Sequence, residues 1–185
     1  MKPFALAAAL ALTALPRAAE PVPDSIEDEG GTLNPEELTL NRVMRDIANG
    51  QTSMTNCATG YYITKSGRHE MARELFEKCA ADGWTGAMTW MSQLDDNGLG
   101  APENPGAAAE WDRRAADAGD PVGQFNYGLD LMRGRGVPAN EAEGRRYVDQ
   151  AARAGLPTAK RLQAADYDLD EVTPDADEHK YQKMF

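Results

Sequence analysis

The chain has 185 residues, with 30 acidic against 19 basic side chains and a formal net charge of −11. An excess of that sign repels phosphate backbones and anionic lipid, which argues against nucleic acid and acidic membrane surfaces as partners. With only two cysteines and two histidines, the chain carries few candidates for a thiol nucleophile, an imidazole base or a zinc site.

Residues 1–19 begin with Lys2, run apolar from Phe4 to Leu15 and end in Pro16-Arg17-Ala18-Ala19. One positive charge, an apolar run too short for a bilayer and a small-residue end describe a secretory signal peptide, with an uncleaved amphipathic anchor as the alternative. The expected location is therefore periplasmic or secreted. Residues 20–33 carry prolines, glycines and acids among few hydrophobes. They bury too little apolar surface to offset their ordering entropy, and read as an acidic tether.

Order is expected from residue 34. Asn34-Pro35-Glu36-Glu37 places an N-cap residue, a proline for the first helical position and acids for the first turn, each suited to unpaired N–H groups. Leu38, Leu40, Val43, Met44 and Ile47 then form a helical stripe ending at Asn49-Gly50, predicted to cover one end of the helices that come after it.

From Trp84 to Gly155 one unit of thirty-six residues is written twice without a gap. Gly98 meets Gly134, Gly100 meets Gly136, Asn104 meets Asn140, Trp111 meets Tyr147 and Gly119 meets Gly155. The same step carries Ala72, Leu75, Phe76, Cys79 and Ala80 onto Ala108, Trp111, Asp112, Ala115 and Ala116. That spacing puts each set on one face of a helix. Gly83, Gly119 and Gly155 stand where a helix end wants a left-handed residue. Asn104-Pro105 and Asn140 with Glu143 read as helix starts, and the Gly-x-Gly loops as turns. A period of this length predicts an all-α solenoid of antiparallel helix hairpins, with repeats at about 51–83, 84–119 and 120–155 and a half repeat at 156–166.

These residues carry a resemblance. Gly119-Asp-Pro-Val-Gly-Gln-Phe-Asn-Tyr-Gly128, then Gly134-Arg-Gly136-Val137, Tyr147 and Ala151-Ala152 resemble the Sel1-like repeat, a relative of the tetratricopeptide repeat with a longer hairpin loop. The resemblance implies a right-handed solenoid whose first helices line a concave face. It thins in the first hairpin, which lacks loop residues between Gly67 and Ala72, and Ser92 and Asp95 stand where Gly128 and Leu131 stand one repeat later.

Beyond Ala165, alternating aspartates from Asp166 to Asp170 have the cadence of a calcium loop, but Glu171 occupies the sharp-turn glycine position, so 167–185 reads as an acidic tail. No metal or cofactor is expected. In an oxidising compartment Cys57 and Cys79 would fall on the two helices of the first hairpin and pair as a disulfide, as in some secreted members of the family. A Cys57–His69 nucleophilic dyad is the sharper alternative, and Cys57, Cys79 and His69 match no common zinc spacing.

What remains is recognition. If Gly123, Tyr127, Gly128 and Leu131 face the partner helix, Asn126 and Asp130 face the concave side, where Trp90 and Leu94 stand thirty-six residues earlier. Met88 and Gln124 are weaker neighbours. Trp90 and Leu94 would then anchor another protein, or else fill the gap left by Ser92 and Asp95 or pack under the N-terminal helix. The expected function is an exported interaction scaffold, an adaptor, regulator or accessory factor of an envelope protein complex. The alternative, through cysteine-rich relatives, is a hydrolase or binder of cell-wall-derived or β-lactam compounds.

Overall fold

The computed structural model describes residues 39–172. The signal peptide, the tether and the Asn34-Pro35 start lie outside the described residues, as does the tail from residue 173. The helices are α1 (Leu40–Ala48), α2 (Met54–Lys65), α3 (His69–Ala81), α4 (Thr85–Asp96), α5 (Pro105–Asp117), α6 (Pro121–Arg133), α7 (Glu141–Arg153) and α8 (Pro157–Ala164), followed by a 3-10 turn, Leu169–Val172. Each helix from α2 onward packs against the next, and α2 also touches α4 while α4 touches α6. The first helices of the hairpins therefore form an inner row. None of the described helices is long and apolar enough to cross a membrane.

Local chemistry sets the helix ends. Gly83, Gly119 and Gly155 have φ of 89°, 86° and 103°, and the residue after each donates its N–H back to Cys79, Ala115 or Ala151. This closes three otherwise open helix ends in the same way. Asn104 and Asn140 cap α5 and α7 by accepting from Ala107 and Glu143. Glu143 does not reach back to a backbone N–H as in the usual capping box. It accepts from the side-chain amide of Asn140 at 2.8 Å, because the Asn140 backbone N–H is already given to Leu131.

Within the described residues α1 is capped by Thr39, extended at φ −76° and ψ 146°, whose side chain accepts from the Arg42 N–H. Residues 167–172 are not simply a solvated tail. Tyr167 and Asp166 take left-handed backbone, and Tyr167, Leu169 and Val172 pack on the last core cluster. The Tyr167 hydroxyl donates to Asp149, and Arg145 lies 4.6 Å over its ring.

The interior forms two clusters. The first joins α1 to α5 through Ile47, Leu75, Phe76, Cys79, Met91 and Leu94. The second joins α6 to α8 through Leu129, Val148, Ala151 and Leu162. Close helix crossings need missing side chains. A Cβ on Gly60 would lie 2.3 Å from the Phe76 ring, and one on Gly128 2.9 Å from the Gly144 carbonyl oxygen. The second glycine of each loop meets the start of the preceding hairpin's second helix, and a Cβ on Gly136 would lie 2.0 Å from the Pro105 oxygen.

Candidate functional site

An apolar cleft lies between α2 and α4. It encloses about 330 Å³ and is lined by Met54, Ala58, Tyr61, Trp84, Ala87 and Trp90, with Cys57 and Phe76 contributing to its wall. Gly60 admits the Phe76 ring, and Trp90 stacks on that ring with centroids 6.0 Å apart and planes 5° from parallel. Tyr61 tilts against Trp90 at 5.4 Å, and Tyr62 meets Tyr61 edge-on at 5.4 Å. The rim is apolar although accessible: Met54 is 73% exposed and Tyr61 41%, while Tyr62 turns to the groove between α1 and α2, beside Val43 and Thr59. Exposed aromatic and methionine side chains clustered round a cleft cost solvation free energy unless something covers them.

A disulfide between Cys57 and Cys79 ties α2 to α3 beneath this cleft. Both cysteines are therefore occupied, and among the described residues none is free. Cys57 cannot serve as the thiolate of a dyad with His69, nor as a metal ligand, while it is oxidised. Among the described residues no three His, Cys, Asp or Glu side chains are grouped as metal ligands.

One repeat along, the same positions are polar. Phe76, Asp112 and Val148 are equivalent, and so are Trp90, Asn126 and Leu162. The aromatic stack of the first joint is thus replaced at the second by a hydrogen bond from Asn126 Nδ2 to Asp112 Oδ1 at 3.1 Å. Asp112 also accepts from the Ser92 hydroxyl. The serine that breaks the glycine pattern is therefore the donor for the acid that breaks the apolar stripe. Burial pushes the Asp112 carboxyl up to about 7, against the pull of its bonds from Ser92 and Asn126 and with help from Asp96 and Asp120.

Asp130 lies one turn beyond Asn126. Burial, then the charges of Asp112 and Asp96, push its carboxyl up to about 7, with Arg135 and Arg133 opposing. Its Oδ2 is buried without a hydrogen-bond donor. Arg135 is engaged elsewhere: its Nε lies 2.7 Å from Asp96 Oδ1 and its Nη2 3.5 Å from Glu103.

Of the residues singled out as partner-binding, the structure removes two from the surface. Leu94 is fully buried and Met88 nearly so, both in the first core cluster. This is the gap-filling alternative, because the polar Ser92 and Asp95 beside Leu94 leave apolar volume to occupy. Trp90 is half-buried in the cleft, and Gln124, Asn126 and Asp130 are half-buried on α6. The Gln124 Oε1 is buried without a donor. Asp95, expected to disturb its joint, pairs with Arg73 at 2.7 Å, and Arg73 Nε donates to the Leu99 carbonyl.

Sequence reasoning missed Met54 and Tyr61. The turn between α2 and α3 spans residues 66–68, whereas that between α4 and α5 spans 97–104. The thirty-six-residue step therefore does not carry α4 back onto α2, and the face of α2 could not be counted. The aromatic doublet itself was the available signal.

The Sel1 repeat family matches residues 86–120 and 121–156, which are α4 with α5 and α6 with α7. The chain thus carries two Sel1 repeats, modules that generally mediate protein–protein contact. It is similar to a Sel1 repeat protein from Oxalobacter formigenes, 29% identical over 56% of this chain and 43% of that one, with a TM-score of 0.54. It shares its fold with a protective antigen present in uropathogenic Escherichia coli strains, 21% identical over 71% of this chain and 32% of that one, TM-score 0.50. It also shares the fold of the Helicobacter pylori cysteine rich protein B, 17% identical over 71% of this chain and 97% of that one, TM-score 0.56. The chain therefore spans less than half the length of the first two structures. No curated protein matches it.

Proposed function

We propose that this chain, built on two Sel1 repeats, is an exported scaffold that holds another protein of the cell envelope against the cleft between α2 and α4. The observation that carries the reading is the cleft's rim, where Met54 and Tyr61 remain open to solvent above a wall fixed by the Cys57–Cys79 disulfide. Anchors of this kind, rigid aromatic surface on a preorganised support, lose little entropy on binding. Export is supported by the disulfide, which persists in oxidising compartments, and by the apolar run from Phe4 to Leu15. An adaptor, a regulator and an accessory subunit all fit this face.

The test is affinity purification of the tagged protein from its native envelope beside a Met54→Ser, Tyr61→Ser variant shown by circular dichroism to be folded. These side chains are exposed, so the variant tests contact and not core packing. A partner held by the wild type and lost by the folded variant supports the reading. Equal capture by both removes the cleft from it.

A further inference from the structure

The cleft and the acids beside it together select the chemistry of the occupant. From the protein-binding reading of the cleft, on which this step rests, we propose that the bound segment is cationic as well as apolar. It seats an apolar side chain between Tyr61 and Trp90 and turns a lysine or arginine towards Asp130.

The placement comes from the repeat. Asn126 occupies on α6 the position that Trp90 occupies on α4, and the two helices touch, their starts tied by the Thr85 hydroxyl donating to Asp120 at 2.7 Å. Asp130 is one turn further along α6. Neighbouring helix axes lie about 8–10 Å apart and one turn rises about 5.4 Å, so cleft and carboxylate are roughly 11 Å apart. An extended peptide covers that in three or four residues at about 3.3 Å each.

Charge then decides the sign. Asp130 Oδ2 is buried without a donor, and Asp96 adds negative potential around it. Asp112 has its own donors in Ser92 and Asn126, so it offers no open contact. The nearest guanidinium, Arg135, is held by Asp96 and Glu103. A buried acceptor among like charges is completed by a cation supplied from outside, while an acidic segment is rejected by the same field and by the chain's net charge of −11. Lys65, 5.6 Å over the Tyr61 ring, is on α2, on the opposite side of the cleft from α6.

The experiment is selection of random twelve-residue phage-displayed peptides on the full chain, followed by titration of the synthetic winner against wild type, Asp130→Asn and Tyr61→Ser. The expected winners pair an aromatic or branched aliphatic residue with Lys or Arg three or four positions away. Asp130→Asn should weaken the winner about tenfold, and replacing its basic residue by Gln should cost the same factor in wild type and little more in Asp130→Asn. Tyr61→Ser should abolish binding. Winners without a basic residue, or equal affinity for Asp130→Asn, overturn the cationic inference and leave the cleft reading standing as long as Tyr61→Ser still loses them. A selection that enriches nothing overturns both.

Discussion

Asn126 donates to Asp112 at 3.1 Å in the positions where, one repeat earlier, Trp90 stacks on Phe76. One backbone joint is thus built twice with opposite chemistry. The aromatic version leaves a cleft at the surface, and the polar version stores a buried carboxyl that is hard to ionise.

That carboxyl makes stability depend on pH. Asp112 is pushed up from 3.8 to about 7 in the fold, so the folded chain holds a proton that the unfolded chain releases. Its contribution is fully present below about pH 4 and is lost as pH rises through about 7. Asp112→Asn keeps a partner for Ser92 and removes that loss. It should raise Tm at about pH 8 by a few degrees, 1 kcal/mol corresponding to about 2–4 °C for a chain of this size, with a smaller gain at about pH 5. Thermal melts across that range check it, and a gain that grows towards low pH would refute it.

The buried pair of Arg73 and Asp95, 2.7 Å apart, stands where the next repeat has Ala109 and Leu131. Arg73→Ala alone strands a buried carboxylate and should cost about 3–5 kcal/mol. Arg73→Ala with Asp95→Leu copies the following repeat and should return most of that stability. Urea unfolding of the three proteins measures the coupling, and additive losses would show that the two side chains do not act as a pair.

Gly119 and Gly136 both have left-handed backbone, at φ 86° and 68°, but a Cβ on Gly119 meets nothing within 4 Å, whereas one on Gly136 lies 2.0 Å from the Pro105 oxygen. Gly119→Ala should cost about 1 kcal/mol, the left-handed penalty alone. Gly136→Ala adds a backbone clash, and should cost about 2–4 kcal/mol in all. Equal losses in denaturant titrations would mean that the loop does not dock on the preceding hairpin.

These contrasts also show how far the sequence could be read. Local signals were legible: the glycines at 83, 119 and 155 and the asparagine caps act within a few residues of themselves. Leu94 and Met88 were set on the wrong face because their exposure depends on how α4 rotates against its neighbours, which no local rule supplies. Asp112 was hidden within an apolar stripe, though the serine thirty-six residues before Gly128 was the hint. Tyr61 was missed because the shortened first turn breaks the repeat step.

The Cys57–Cys79 bond closes a sequence separation of 22 residues, worth about 3 kcal/mol in the chain-entropy picture. Cys57→Ala with Cys79→Ala should lower stability by about that amount and loosen α2, so peptide binding at the cleft should fall even where circular dichroism shows the repeats folded. Binding unchanged in a folded, disulfide-free protein would mean that the bond supports only the helices.

The central claim is that the cleft between α2 and α4 meets a protein. It is tested most directly by placing a photo-crosslinking amino acid at Met54, on the cleft rim, and separately at Asp117, near the exposed end of α5, and irradiating cells that express each. A discrete adduct from position 54, absent from position 117 and competed by the basic-apolar peptide, is the predicted result. Adducts that are the same from both positions, or none from position 54, would contradict it.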